Sequence, residues 1–514
     1  MKGAVPVFWK LLLVIIVSFN GLRVHADTTQ GHLTISAPFE FSSLDPTQHG
    51  YLFTRMQILE TLVDVSADGT LEPGLASEWQ VSDDGLTWAF KIRDGVVFHD
   101  GTPLNADQVV HSLNAALQKH GPFRQAPVNT VEAAGDEVVV QLNQPYSPLP
   151  AVLANYSTAI LATDAFGEDG QVNTLIGTGP FTFVSASPPH KLSVQRFDDY
   201  WGQPAAIESA EYLTGHRSES RALQARTGQA DIVFNLDPVS VTQLNRVPTV
   251  NVHSDLLPRT ILMKVNSGHD FLNEPEARQA LSLALDRTGI SRAILRTPGA
   301  EANQLLPPSL ANWHIDDLPP ARQNKEEATA LLQSLGWQPG DDGVLTRNGE
   351  RFELTLITYA DRPELTTVAT AIQAQLADIG IDLNVSITNS SAIPAGHQDG
   401  SLELALLARN YGFIADPLGV LIADFAGESG GDWGAMNWQH PELLGLIESQ
   451  QSERDVQQYA QTAQQIARIL ADEMPLIPVT YYTQQTAVND RVSNFRFDPL
   501  ERNYFLNELE LAQP

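Results

Sequence analysis

Strand and helix signals alternate from one end of the chain to the other, and this alternation is the strongest constraint on its fold. The pattern is clearest from Asn324 onward, where this capping residue precedes a helix with an apolar stripe and Gly336 suits the left-handed position that ends it. A strand at 352–357, a second helix ending at Gly380 and a strand at 381–387 follow. This order predicts a βαβ unit with a right-handed crossover, and therefore an α/β fold.

The next strand points to a candidate binding wall. An uninterrupted apolar run at 402–408 predicts a strand that is covered on both faces, and it stops abruptly at Arg409, Asn410 and Tyr411. Ligands of open α/β sheets bind beyond the carboxyl ends of the strands. We therefore expect this tripeptide to face a ligand.

Residues 1–26 have the features of a secretory signal peptide. Lys2 and Lys10 precede an apolar run at 11–19, and small side chains stand at the cleavage positions. The run is too short to span a bilayer comfortably, although an uncleaved anchor is the alternative interpretation. No cysteine follows the signal, so the mature chain is not a lipoprotein. We expect it to be secreted into the periplasm of a Gram-negative bacterium.

Charge and cysteine content exclude several classes of function. The chain has 61 acidic and 31 basic residues, a formal net charge of −30, so the phosphates of a nucleic acid would meet a surface of their own sign. It has no cysteine, which removes disulfides, thiolate nucleophiles and Cys-containing zinc sites. HExxH, Walker A and Rossmann glycine motifs are also missing, so metalloprotease, nucleotide and dinucleotide chemistry lack support.

A series of sequence blocks carries a family resemblance. Residues 74–113 read GLASEWQVSDDGLTWAFKIRDGVVFHDGTPLNADQVVHSL, and the blocks GTGPF, DYWG, GQAD, ARQAL and ALL follow in that order. Together they resemble the peptide/nickel family (family 5) of extracytoplasmic solute-binding proteins of ABC importers. Overall length and short connections are most similar to its periplasmic nickel-binding branch.

The resemblance implies an α/β, two-lobed periplasmic binding protein fold with hinge strands and an extra subdomain inserted in the first lobe. We expect the first lobe at 27–55, 176–258 and 483–514, the inserted subdomain at 56–175 and the second lobe at 259–482. The family implies a monomer that captures a ligand between the lobes without catalysis and delivers it to a permease at the inner membrane. No cofactor is required, and the nickel-binding branch captures its metal as a chelate with a small organic carboxylate.

The family's ligand residues are only partly present. The segment Arg409–Gly412 with Asp416 resembles the cleft-lining part of the family, and Tyr411 takes the place of a cleft tryptophan in the nickel binder. Peptide binders hold the ligand ammonium with an aspartate three residues before the position of Asp416. In this chain that residue is Phe413, so the usual anchor for a peptide amine is absent from this position.

The residues that hold nickel chelates are also replaced. Ser429 and Ser157 stand near the positions of the metal-touching histidine and the carboxylate-clamping arginine of the nickel binder. The residues at these positions therefore match neither the ligand contacts of an ordinary peptide nor those of the usual nickel chelate. Because Arg409 and Arg124 would suit carboxylates, we favour a carboxylate chelate of nickel or a similar divalent metal as ligand. An atypical or blocked oligopeptide is the alternative.

Further candidate contacts come from the first lobe and from a glycine-rich stretch of the second. His49 lies where the first lobe meets the cleft, with Tyr51 beside it. The imidazole of His49 would suit a metal ion; the alternative is that His49 is a polar surface residue. Arg124, with Phe123 beside it, would clamp a carboxylate; the alternative is that Arg124 is a solvated loop residue. Trp433 would stack on a ligand or pack against its own lobe.

Two rival functions remain. The GESGG sequence at 427–431 resembles the nucleophile loop of trypsin-like serine proteases, but no matching histidine block is present and the strand–helix alternation contradicts a two-barrel β fold. A secreted serine hydrolase is therefore the remote alternative. A solute-binding protein that acts as a chaperone or receptor subunit without an importer is the third hypothesis, and neighbouring genes for two permeases and two ATPases would decide against it.

Overall fold

The computed structural model describes residues 31–359, 362–427 and 430–512. The predicted signal peptide and Ser429 lie outside the described residues. In the described part, α-helices occupy Pro46–Arg55, Ala106–Leu117, Pro122–Gln125, Leu149–Val152, Ser218–Thr227, Pro238–Leu244, Pro275–Ala284, Arg287–Gly289, Lys325–Ser334, Pro363–Ala377, Ala392–Asp399, Leu418–Phe425, Pro441–Gln450 and Val456–Glu473. None of the helices described is both long and apolar enough to cross a membrane.

The largest sheet of the described chain has ten strands. In spatial order they are Asp382–Thr388, Glu353–Tyr359, Leu404–Asn410, Val250–Val265, Leu476–Asn489, Ile232–Val233, His32–Ala37, Ser209–Thr214, Lys191–Arg196 and Phe181–Ser187. Shorter strands outside this sheet are Val63–Val65, Leu71–Pro73, Gln338–Pro339, Leu345–Arg347, Glu350–Arg351, Val492–Ser493 and Glu510–Leu511.

The βαβ unit predicted from the sequence is confirmed. Strands Glu353–Tyr359 and Asp382–Thr388 pair in parallel, and helix Pro363–Ala377 connects them. Asn324 caps the preceding helix by accepting a hydrogen bond from the N–H of Glu327 (3.1 Å). Gly336 has φ of +89°, the left-handed conformation expected of the residue that ends a helix.

Two long strands, hereafter the crossing strands, carry the sheet from one lobe to the other. They are Val250–Val265 and Leu476–Asn489, and they pair antiparallel. Their register shifts between Leu256 and Thr260, so the three residues in between form a bulge. The predicted lobe boundary after Pro258 falls in this bulge. One buried core lies between residues 261 and 479 and a second one combines residues 33–234 with 488–509, which makes the molecule two-lobed.

A separate four-stranded antiparallel sheet forms within the segment predicted to be inserted. Its strands, in spatial order, are Ala76–Val81, Thr87–Ile92, Glu137–Leu142 and Val128–Ala134. Helix Ala106–Leu117 contacts this sheet, and the buried residues between Leu62 and Ala162 form a core of their own. Ile414 of the second lobe joins that core, so the subdomain touches the opposite lobe.

The glycines of the GTGPF block have a structural role. A Cβ on Gly177 would collide with the carbonyl oxygen of Ile58, and a Cβ on Gly179 would collide with that of Gln57. Only glycine permits this approach of two main chains. The block therefore holds the first lobe against the start of the inserted segment.

Candidate ligand-binding site

A cavity of about 320 Å³ lies between the two lobes, next to the inserted subdomain. It is bounded by residues from all three parts of the molecule, and this explains why no single sequence segment contains the site. The lining residues are Phe39, Tyr51, Arg55, Ala154, Asn155, Tyr156, Asn235, Arg259, Arg362, Asn410, Gly412, Phe413, Ile414, Ala415, Leu500, Glu501 and Arg502.

Positive charge dominates the lining of this cavity. Four arginines take part, and Glu501 is the one acidic residue among the described residues that line it; the arginines are Arg55, Arg259, Arg362 and Arg502. The chain as a whole carries a net charge of −30, so this concentration of guanidinium groups is a local reversal of sign. Partly buried arginines attract anions and bind carboxylates with two parallel hydrogen bonds.

Two acids outside the lining offset part of this charge. Arg502 pairs with Asp64 (Nη1–Oδ1 2.7 Å), and Arg362 lies 3.9 Å from Glu364. A third acid outside the lining, the buried Asp498, also interacts electrostatically with Arg502. Within the lining itself, four guanidinium groups face one carboxylate, so a ligand anion meets mainly positive charge.

An aromatic wall crosses the cavity from the first lobe to the second. Phe39 contacts Tyr51 edge to face (6.0 Å between ring centres), Tyr51 contacts Tyr156 (5.9 Å) and Tyr156 contacts Phe413 (6.2 Å). Phe413, which the resemblance places at the position of the family's amine anchor, is 46% exposed. The cavity thus combines a cationic side with an apolar aromatic side.

Of the contacts predicted from the sequence, Asn410 and Tyr51 line the cavity. The amide oxygen of Asn410 accepts the N–H of Gly412 (3.0 Å), which orients the side chain. The hydroxyl of Tyr51 donates to the carbonyl oxygen of Glu40 (2.7 Å). Burial raises the pKa of Tyr51 to about 12, against the opposing effect of Arg55, so the phenol is neutral. Their contact with a ligand stays a prediction.

Arg409 and Tyr411, by contrast, do not line the cavity, which corrects the predicted binding wall. Successive residues of a strand point to opposite sides, so the neighbours of Asn410 face away from the side that it faces. Arg409 forms two hydrogen bonds with Asp424, at 2.8 Å (Nε–Oδ2) and 2.6 Å (Nη2–Oδ1). Tyr411 is fully buried in the core of the second lobe.

Asp416 and Trp433 also serve the second lobe itself. Asp416 accepts the N–H of Leu418 (2.8 Å) at the start of a helix and the hydroxyl of Tyr459 (2.5 Å). Burial raises the pKa of Asp416, although the hydrogen bond from Tyr459 opposes the shift. Trp433 packs against the core of its own lobe. Neither residue lines the cavity, so both predictions of a cleft position are corrected.

The two first-lobe predictions, His49 and Arg124, are likewise not in the lining. The Nε2 of His49 accepts the N–H of Ser42 (3.1 Å), and burial lowers its pKa against the opposing effect of Asp45. Arg124 is exposed and donates to a main-chain carbonyl. The described part of the chain holds no group of three or more His, Cys, Asp or Glu side chains arranged for a metal ion.

Ser157 also lies apart from the cavity lining. Its hydroxyl is buried and donates to the side chain of Asn155 (2.8 Å). Ser157, which the resemblance places near the carboxylate-clamping arginine of the nickel binder, therefore supports a neighbouring turn. Asn155, which this serine orients, does line the cavity.

Sequence reasoning missed the arginines that form the cationic side. Arg55 ends a helix of the first lobe, Arg259 sits in the bulge of a crossing strand and Arg502 follows Glu501 near the C-terminus. The available signals were the Pro-Arg pair in the predicted hinge and the Asp-Pro-Leu-Glu-Arg turn at 498–502. Nothing local distinguishes these arginines from surface arginines, because they meet only in the folded chain.

A two-lobed α/β fold with a ligand-sized cavity between its lobes is typical of extracytoplasmic solute-binding proteins. The chain belongs to the bacterial extracellular solute-binding proteins, family 5, whose model ("family 5 Middle") matches residues 70–432. The resemblance seen in the sequence blocks is thereby confirmed, and the function it assigns is that of the solute-binding component of an ABC transporter.

Individual relatives cover nearly the whole chain. The nickel-binding periplasmic protein of Escherichia coli is 24% identical over 96% of this chain and 96% of its own length. The dipeptide-binding protein of Escherichia coli is also 24% identical, over 85% of this chain and 86% of its own. Among solved structures, the nickel ABC transporter protein of Bacillus halodurans has 25% identity and a TM-score of 0.83, covering 93% of this chain and all of that one.

Proposed function

We propose that this chain captures one small carboxylate-bearing ligand between its lobes and delivers it to an ABC permease at the inner membrane. The favoured ligand is nickel or a similar divalent metal, carried as a chelate with an organic carboxylate. The observation that carries the proposal is the cavity lined by four arginines in a strongly acidic chain. Guanidinium groups would bind the carboxylates of the chelate, so the metal needs no protein histidine.

The proposal includes the setting in which the chain works. It acts as a monomer in the periplasm after cleavage of the signal peptide, requires no cofactor and binds no nucleic acid. It captures its ligand without chemistry, in keeping with relatives that are named as binding proteins. Turnover of a peptide substrate by the purified protein would contradict this part of the proposal.

An atypical or blocked oligopeptide is the second candidate. The observation that favours it is the aromatic wall, in which Phe413 exposes 46% of its surface. Apolar side chains of a peptide would pack there, and the amides of Asn155, Asn235 and Asn410 would meet its main chain. A blocked N-terminus would need no acidic anchor.

Native mass spectrometry of the protein purified from its own periplasm, followed by metal analysis, tests the proposal. The expected species is one ligand per chain that contains a divalent metal and carboxylates. A metal-free peptide mixture would refute the chelate and support the oligopeptide. Acid extraction and fragmentation of the bound molecule would then identify its chemical class.

We predict that Arg362→Gln weakens binding of the co-purified ligand about tenfold to hundredfold, as expected when a charge-assisted hydrogen bond is lost. Arg362 lines the cavity and donates to the hydroxyl of Tyr482 (3.2 Å). Arg124→Gln is the matched control, because that arginine is exposed and does not line the cavity. Calorimetric titration of the ligand-free proteins measures both effects. Equal affinities in the two variants would remove Arg362 from the site.

A further inference from the structure

A turn near the C-terminus, held by hydrogen bonds to a side chain, carries Glu501, whose carboxylate lines the cavity. The side chain of Asp498 accepts the N–H groups of Leu500 (3.0 Å) and Arg502 (2.9 Å). Between them, Glu501 has φ of +56°, a left-handed backbone that residues other than glycine rarely adopt. Such a conformation persists where the surrounding structure fixes it. The turn therefore holds Glu501 at one place beside the cavity.

Two arginines from distant parts of the chain flank Glu501. Arg55 donates from Nε to the main-chain oxygen of Glu501 (2.5 Å), and its Nη2 lies 3.5 Å from one carboxylate oxygen. Arg259, in the bulge of a crossing strand, has Nη2 at 3.4 Å from the other oxygen. The exposed fractions of these side chains are 10% for Arg55, 15% for Arg259 and 17% for Glu501. The three charges are thus mostly shielded from water.

This arrangement determines where a ligand anion binds. A ligand carboxylate that approached Arg55 or Arg259 would also approach Glu501, and like charges repel strongly where water is scarce. Arg362, which lies 3.9 Å from Glu364 outside the lining, has no such competitor inside the cavity, whereas the guanidinium of Arg502 is already bound by Asp64 (2.7 Å). An ammonium group gains little from Glu501, because two guanidinium groups already neutralise it.

We propose that Glu501 is a specificity-determining residue that acts as a resident counter-ion for Arg55 and Arg259 and so limits the negative charge of the ligand. This inference rests on the proposed function, in which the cavity binds carboxylates. A first ligand carboxylate is served by Arg362, whereas further carboxylates approach Glu501. Glutamine at position 501 keeps the shape of the side chain and frees two arginines.

Calorimetric titration with succinate, a dicarboxylate, and citrate, a tricarboxylate, tests this role. Glu501→Gln is expected to bind citrate about tenfold to hundredfold more tightly than the wild type, with a smaller change for succinate. Adding Arg259→Gln to this variant is expected to remove most of the gain. Glu508→Gln is the matched control: Glu508 holds Arg496 at the surface by hydrogen bonds of 2.8 and 2.6 Å, and its loss is expected to leave both affinities unchanged.

Melting temperatures provide a second readout in case Glu501→Gln is unstable on its own. Citrate is then expected to raise its melting temperature by more than that of the wild type. Equal citrate affinity and equal thermal shifts in the two proteins overturn the inference, and so does a loss of alanyl-alanine binding in Glu501→Gln, since Glu501 would then hold an ammonium. A wild type that co-purifies with metal-free peptides overturns the proposed ligand. The role of Glu501 is then still decided by whether Glu501→Gln binds citrate more tightly than the wild type.

Discussion

At the scale of single residues, Glu60 joins two of the sequence blocks that carry the family resemblance. Its carboxylate accepts hydrogen bonds from Thr178 (2.7 Å), Tyr200 (2.9 Å) and Trp201 (3.0 Å). The first donor belongs to the GTGPF block and the other two to the DYWG block. Burial raises the pKa of Glu60 to about 7, although these three hydrogen bonds oppose the shift. One half-buried acid thus ties both blocks together.

We predict a pH-dependent contribution of Glu60 to stability. Because its pKa in the folded chain is raised to about 7 from 4.5, the folded state keeps a proton that the unfolded state releases. This contribution is complete below pH ~4.5 and is lost as the pH rises through ~7. The wild type should therefore exceed Glu60→Gln in free energy of unfolding by more at pH 5 than at pH 8, with a difference of at most about 3 kcal/mol.

Urea unfolding of both proteins at the two pH values measures this difference. Comparing wild type and variant removes the titration of the other acidic residues, which both proteins share. An advantage of the wild type that grows with pH would mean that Thr178, Tyr200 and Trp201 hold the carboxylate ionised in the folded state.

At the scale of elements, strand Leu404–Asn410 separates the interior of the second lobe from the cavity. Arg409 points toward helix Leu418–Phe425, where Asp424 is 1% exposed, whereas Asn410 lines the cavity. The ion pair between strand and helix is mostly shielded from water, and its two hydrogen bonds satisfy both oxygens of the acid. Its function is to fix the helix against the sheet behind the site.

We predict that Asp424→Asn lowers the free energy of unfolding by about 3–5 kcal/mol, because it leaves the guanidinium of Arg409 without its charged partner. Asp378→Asn is the matched control, since Asp378 pairs with Lys325 (2.6 Å) at the surface; its cost is expected to be about 1 kcal/mol or less. Urea unfolding measures both variants. A cost for Asp424→Asn no larger than that of the control would contradict the structural role of the buried pair.

At the scale of the whole molecule, the inserted subdomain meets the second lobe at the rim of the cavity. Ser147 donates from its hydroxyl to the carbonyl oxygen of Gln450 (2.9 Å) and from its N–H to that of Gln451 (2.7 Å). Asn155 donates to the carbonyl oxygen of Phe413 (2.8 Å). These bonds connect the inserted subdomain to the second lobe, so we expect them to favour the closed arrangement of the lobes.

We predict that Ser147→Ala weakens ligand affinity about twofold to tenfold, because one hydrogen bond of the closed state is lost. Faster ligand dissociation should account for most of the change. Ser449→Ala is the matched control, since the hydroxyl bond that the described residues show for it stays within its own helix, to the carbonyl oxygen of Leu446 (2.9 Å).

Stopped-flow measurement of dissociation, together with small-angle scattering with and without ligand, tests the effect of Ser147→Ala. The wild type should become more compact when ligand is added. A Ser147→Ala variant that dissociates at the rate of the Ser449→Ala control would remove this contact from closure.

The sequence by itself determined the class of protein, the order of its elements and several of their ends. Helix caps such as Asn324 and Gly336 depend on residues a few positions apart, and so does the periodicity of the βαβ unit. Both can therefore be recognised in the sequence before the fold is known. Family blocks extended this to the two-lobed architecture. The lobe boundaries stay predictions, as do the ligand contacts of Asn410 and Tyr51.

Only the tertiary structure decided which charged side chains face the cavity. Arg409 belonged to the expected wall, yet strand alternation and a buried aspartate direct it into the second lobe. Arg55 and Glu501 stand 446 positions apart in the chain and meet because the C-terminal turn packs onto the first lobe. A charged residue next to a predicted strand end has two faces available, and the choice depends on partners brought in by distant segments. Such partners leave no periodic or local trace in the sequence.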